Sequence, residues 1–129
     1  MLLGLASLAA PAVGADASVL RLRLTGVIDQ VQAAYIEEGL QTAADSGAIA
    51  VLIEIDSPGG ELSSMDRILK AILGSEVPVI TWVTPEGARA GSAATFVTLA
   101  GDVAAMAPLT NIGAASVIGG RGSVAGGQR

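Results

Sequence analysis

The sequence has no cysteine and no histidine, and its 129 residues include one tryptophan, one tyrosine and one phenylalanine. Without thiols or imidazoles there is no disulfide, no cysteine nucleophile and no basis for a zinc or haem site, so neither a metal nor a cofactor is expected. A Ser-His-Asp triad cannot be assembled from these residues. The lack of aromatics removes a platform for stacking bases or sugars. Positive charge is also short: 7 Lys and Arg against 12 Asp and Glu give a net charge of −5 and a pI near 4.4. No electrostatic footprint for nucleic acid is present. What is abundant is aliphatic, with 51% hydrophobic residues, 15% charged and a mean hydropathy of +0.62, which excludes a disordered chain. The core must be built from Ala, Val, Ile and Leu, and the length suits one domain.

The two ends differ from the middle. Met1 to Ala12 is uncharged and rich in Leu and Ala, Pro11 and Gly14 break it, and Val13-Gly14-Ala15 or Ala15-Asp16-Ala17 reads as a small-residue cleavage site. Residues 1–17 are therefore expected to be a secretory signal peptide or an N-terminal hydrophobic segment. The run is shorter than the roughly 20 apolar residues of a spanning helix. It lacks the basic start of a signal peptide, which a start further upstream would supply. Gly119 to Arg129 has the Gly, Ala and Ser composition of a flexible segment. That leaves residues 18–118 as the folded domain, and the absence of a final capping element reads as a domain cut short.

Between these ends, strand and helix patterns alternate. Val19 to Leu24 alternates apolar and basic residues, as a first or edge strand does. Asp29 can cap a helix reaching Ser46, with Val31, Ala34, Tyr35 and Leu40 on one side and Glu37 and Glu38 on a solvated one; Gly47 stops it. Ala48 to Ile55 is a nearly continuous apolar run, expected for a parallel strand covered on both faces. A helix over 62–73 places Leu62, Met65, Ile68, Leu69, Ile72 and Leu73 on one face. A strand over 77–83, a helix over 92–100 and a short strand over 103–106 follow. This order implies an α/β fold with right-handed crossovers around a mostly parallel sheet.

Two segments carry chemistry. Asp56-Ser57-Pro58-Gly59-Gly60 follows a buried strand, where open α/β sheets place their sites, and its glycines let backbone amides approach a ligand. It can equally be an ordinary strand-to-helix turn. Gly87-Ala88-Arg89-Ala90-Gly91-Ser92-Ala93-Ala94 opens a helix. Ser92 there is either a helix N-cap or, between small neighbours, a nucleophile whose developing oxyanion meets the Ala93 amide.

Together with Met106-Ala107-Pro108-Leu109-Thr110-Asn111-Ile112-Gly113-Ala114, these motifs make Val19 to Ser116 resemble the serine-protease domain of the long-form NfeD proteins. Those are membrane-bound proteases encoded beside stomatin-like genes, related to Clp protease and signal peptide peptidase A in the Clp/crotonase fold. The resemblance implies Ser92 as nucleophile, Gly60 and Ala93 as oxyanion-hole amides, and Gly59 shaping the turn. It also implies a Ser-Lys dyad whose lysine would follow Arg129, a membrane-associated protein with an exported protease domain, and a homo-oligomer cleaving a stomatin-like partner. Lys70, the one lysine present, falls on the outer face of its helix. Asp56 and Asp102 read as turn or helix-end residues, and Arg89 can hold a substrate carbonyl or pair with Glu86. Two other functions share the motifs: a crotonase-type acyl-CoA enzyme, which uses the same two amides without the serine, and a non-catalytic assembly module.

Overall fold

Aliphatic strands joined by amphipathic helices build the sheet one crossover at a time. The computed structural model describes residues 17–115. The elements are β1 (Val19–Thr25), α1 (Gln30–Ser46), β2 (Ala50–Asp56), α2 (Leu62–Leu73), β3 (Val79–Val83), β4 (Arg89–Gly91), α3 (Ala93–Leu99), β5 (Val103–Met106) and β6 (Asn111–Gly113). β1, β2, β3 and β5 form a parallel sheet in that order, while β4 and β6 pair in parallel as a second small sheet. The segments expected to be a signal peptide and a Gly-rich tail lie outside the described residues, apart from Ala17.

Because the strand order advances in one direction, right-handed crossovers carry all three helices to the same face. Leu22, Leu24, Ile53, Ile55 and Val83 are buried there against Ile36, Ile68, Ile72 and Val97. The expectation that β2 is covered on both faces does not hold among the described residues. Its burial alternates, and Glu54 on the other face pairs with Arg21 at 2.9 Å and Arg23 at 3.2 Å. Ion pairs across the strands, rather than a second helical layer, occupy that side.

α1 begins where expected, with Asp29 Oδ1 accepting the Gln32 N–H at 2.9 Å, and stops at the left-handed Gly47 (φ 69°). Its buried face is different from the one the large residues suggest. Ala33, Ile36, Gly39, Leu40 and Ala43 face inward, whereas Val31 is 76% exposed and Ala34 and Tyr35 are exposed. The reason is close approach: a Cβ added at Gly39 would lie 2.6 Å from both Leu22 methyl carbons. Small residues therefore win the interior. Tyr35 serves the sheet edge, its hydroxyl accepting the Arg23 N–H at 3.2 Å, which satisfies an edge donor otherwise open to pairing.

On α2 the i, i+4 row Ser64, Ile68 and Ile72 is buried, with Met65 and Leu69 beside it. Leu62 lies about 200° around the helix from Ser64, and Leu73 about 100° from Ile72, so both are exposed. Glu37 is not merely solvated. Arg67 Nε donates to Glu37 Oε1 at 2.9 Å, and Arg67 Nη2 donates to Oε2, a bidentate bond joining α1 to α2.

Ile68→Ala should lower the unfolding free energy by about 2–5 kcal/mol in urea titration, since it empties a fully buried site between α2 and the sheet. The Arg67 hydrogen bond holds the Glu37 carboxyl below its ordinary value of 4.5. Its stabilising contribution is thus present above the unfolded-state value and lost as pH falls through the lower folded one. Glu37→Gln should flatten that small part of the acid limb when melting temperature is followed from neutral pH downward.

Candidate active site

The end of β2 is stitched to β4, and this brings the two sequence motifs together. Ser57 is buried; its N–H donates to Arg89 O at 2.7 Å and its carbonyl accepts the Gly91 N–H at 2.9 Å. Asp56 Oδ1 accepts the Arg89 N–H at 3.2 Å, and Ser57 Oγ accepts the Gly59 N–H at 3.1 Å. Asp56 is thus a turn-fixing residue. Asp102 plays a similar part elsewhere, accepting the Val79 N–H at 2.8 Å.

Both glycines of the turn are required by close packing. Gly59 sits at φ 103°, and a Cβ there would lie 2.8 Å from Ser92 Cβ and 3.0 Å from the Ala93 nitrogen. A Cβ at Gly60 would lie 2.1 Å from Ile28 O. Ile28 bonds on either side of Gly60, donating to Gly59 O and accepting from the Glu61 N–H, both at 2.9 Å. The Gly60 and Ala93 N–H groups meet no acceptor among the described residues.

Ser92 occupies the link between β4 and α3 with φ 50° and ψ −121°. A non-glycine residue at positive φ is uncommon, and such strain persists only where neighbours enforce it. Its hydroxyl makes no capping hydrogen bond, so the N-cap alternative has no support here. The residue is exposed, and beside it lies an open cavity of about 270 Å³ lined by Pro58, Arg89, Ala90, Ile112 and Gly113 among others. An uncommitted hydroxyl can attack an acyl carbon, and unpaired backbone amides can hold a developing oxyanion.

Arg89 is exposed at this cavity and forms no ion pair with Glu86 among the described residues. Lys70 is elsewhere, on α2, 77% exposed and paired with Asp66 at 2.9 Å. No group of three potential metal ligands occurs among the described residues. The pairing of β4 with β6 as strands, and Thr95 at the start of α3, which bonds to both, are features around Ser92 that the sequence patterns do not single out, although both strands lie within the quoted motifs. Three-residue strands are too short for periodicity to register, and a threonine within a helical run carries no signal of its own.

The sheet, its helices and the turns at its strand ends define a Clp-like α/β domain. ClpP1 from Listeria monocytogenes shares the fold at a TM-score of 0.63 and 24% identity, over 71% of this chain and 54% of that one. The chain belongs to the NfeD1b N-terminal domain family, whose profile matches residues 18–129. Among characterised relatives it is similar to the membrane-bound protease PH1510 of Pyrococcus horikoshii, 46% identical over 72 residues, 56% of this chain and 16% of that protein. It is also similar to the membrane protein NfeD1b of Bacillus subtilis, 34% identical over 98 residues, 76% of this chain and 22% of that protein. Two solved structures of the 1510-N membrane-bound stomatin-specific protease superpose over 84% of this chain. A serine-to-alanine mutant gives TM-score 0.76 at 34% identity over 52% of its chain. A lysine-to-alanine mutant in complex with a substrate peptide gives TM-score 0.77 at 36% identity over 49% of its chain. The chain therefore spans about half of these solved chains and less than a quarter of the two characterised relatives. No helix among the described residues is long and apolar enough to cross a membrane.

Gly60→Ala should destabilise the domain much more than Gly87→Ala, because Gly87 (φ 85°) has nothing within 4 Å of an added Cβ whereas Gly60 meets the Ile28 backbone. For Gly87→Ala the expected cost is the conformational strain alone, about 1–2 kcal/mol. Equal melting temperatures for the two variants would contradict the packing described.

Proposed function

We propose that the chain is the protease domain of a membrane-associated serine peptidase, with Ser92 as nucleophile, the Gly60 and Ala93 amides as oxyanion hole, and Gly59 admitting the close contact between them. The observation that carries this reading is Ser92 itself: strained at φ 50°, hydroxyl free of any capping bond, with Gly59 packed against its Cβ and against the Ala93 nitrogen. The relatives named as proteases, and the serine and lysine mutants of one of them, support it.

In the proposed reaction Ser92 Oγ attacks the scissile carbonyl carbon and gives its proton to a neutral lysine amine supplied by sequence beyond Arg129. The Gly60 and Ala93 N–H groups stabilise the oxyanion; one such donor is worth about 10²- to 10³-fold in rate. Collapse expels the amine product, which takes the proton back from the lysine, and leaves an acyl ester on Ser92. Water then attacks that ester, giving its proton to the same lysine, and as the C–Oγ bond breaks the lysine returns the proton to Ser92 Oγ and the acid product leaves. Lys70 is unsuited to the role, because it lies exposed on α2, paired with Asp66 and away from the cavity beside Ser92.

The cavity beside Ser92 presents Pro58, Ala90 and Ile112, which suits an apolar side chain of an extended substrate segment, with Arg89 at its rim placed to bond a backbone carbonyl. A stomatin-like membrane protein is the proposed substrate partner, and an exported protease domain in a homo-oligomer is the proposed setting. The acyl-CoA alternative would use the two amides but gives no reason for a strained, uncapped serine at position 92. An assembly module needs neither.

In a chain extended past Arg129, Ser92→Ala should abolish peptidase activity while the melting temperature stays within about a few degrees, since an exposed hydroxyl contributes little to packing. Lys70→Ala should leave the rate nearly unchanged, and residues 1–129 alone should show no cleavage. Activity surviving Ser92→Ala would remove the nucleophile assignment; cleavage by residues 1–129 that Lys70→Ala abolishes would place the base on α2.

A further inference from the structure

Ser92 is held in a ring of three hydrogen bonds that closes through Thr95. The Ser92 N–H donates to Gly113 O and the Thr95 N–H donates to Ser92 O, both at 2.9 Å. Thr95 Oγ1 lies 2.9 Å from the same Gly113 O and 3.0 Å from Ala90 O. A hydroxyl has one proton, so this donor is shared between two carbonyls, one on β6 and one on β4. A helical threonine ordinarily returns its hydroxyl to the carbonyl four residues back, as Thr98 does to Ala94 O at 2.8 Å. Thr95 sends its hydroxyl out of the helix instead.

From this geometry we propose that Thr95 is a positioning residue for Ser92, fixing the strained backbone of the nucleophile and the strand β6 that faces it; the inference rests on the peptidase reading above. Each hydrogen bond of the ring restrains a different part of the turn. The Ser92 N–H fixes the approach from β4, the Ser92 carbonyl fixes the entry to α3, and the hydroxyl keeps Gly113 where it can accept the first. Without the hydroxyl the two strands lose their shared donor, and Ser92 is free to relax toward an ordinary φ. That rotation would swing Oγ away from the Gly60 and Ala93 amides. Valine keeps the branched stem of this buried residue and replaces only the hydroxyl.

The test uses the chain extended past Arg129 and compares Thr95→Val, Thr95→Ser, Thr98→Val and Ser92→Ala. Thr95→Val should lower kcat roughly 10- to 100-fold with KM changed less than about twofold, the scale on which small misplacements act. Thr95→Ser should restore kcat to within about threefold. Thr98→Val removes a still more deeply buried hydroxyl from the same helix and should leave kcat unchanged, which separates positioning from general loss of stability. If Thr95→Val does not fold, Thr95→Ala takes its place with the same expected drop. A Thr95→Val kcat near the native value, or an equal fall in Thr98→Val, would overturn the inference. If Ser92→Ala stays active, the peptidase reading fails instead. In that event, amide hydrogen exchange over residues 87–94 still decides the ring: faster exchange in Thr95→Val than in Thr95→Ser supports it, and equal exchange refutes it.

Discussion

The contact between Gly59 and Ser92 is the constraint on which the site depends. With only 2.8 Å between Ser92 Cβ and the place where a Gly59 Cβ would stand, the turn after β2 and the link before α3 lie backbone against side chain. That proximity brings the Ala93 amide beside the glycine turn while leaving the amides of Gly60 and Ala93 without internal partners. A free amide is ordinarily a liability in a folded protein. Here the two belong to the residues that follow Gly59 and Ser92, and the proposed reaction gives them a partner in the oxyanion.

The larger fold supplies the stiffness that such a contact needs. Ser57 is fully buried and bonded to β4 on both its amide and carbonyl sides, so the motion of the glycine turn is tied to the strand that delivers Ser92. Backbone strain of the kind seen at Ser92 costs about 1–3 kcal/mol, and a net hydrogen bond returns about 0.5–1.5 kcal/mol. One bond covers only the lower end of that cost. The ring through Gly113 and Thr95, together with the β4–β6 pairing and the packing of buried Ala93 and Ala94, is sufficient on that scale.

Much of this was legible in the sequence, for identifiable reasons. The element order, the Asp29 cap, the Gly47 stop and the bounds of α2 and β5 follow from patterns that span many residues or from capping chemistry that is local. The helix faces were not legible. Val31, Tyr35, Leu62 and Leu73 look like core and are exposed: on α1 the inward face was chosen by how closely Gly39 and Ala33 let the helix approach the sheet, and on α2 the buried row through Ser64, Ile68 and Ile72 leaves both leucines turned away. The glycine turn and the serine stood out through unusual local composition. Thr95 and the three-residue strands did not, since their significance arises only when residues 18 to 21 positions apart meet, as Thr95 meets Gly113 and Ser92 meets Gly113.

The same geometry explains how the two halves of the proposed chemistry can be separated in the chain. Oxyanion stabilisation as proposed needs backbone amides and a fixed turn, and the residues proposed for it lie between Ile28 and Gly113. Proton transfer needs a side chain of tuned basicity, and among the described residues Lys70, the one lysine, is exposed on α2 and paired with Asp66 rather than at the cavity beside Ser92. A desolvated amine brought to Ser92 from later sequence would meet a hydroxyl and two amides already in position. Its arrival would change the reactivity of the serine without requiring the turn to move. On this view the domain builds the part of catalysis that depends on rigidity, and the part that depends on a shifted pKa is added to a finished frame.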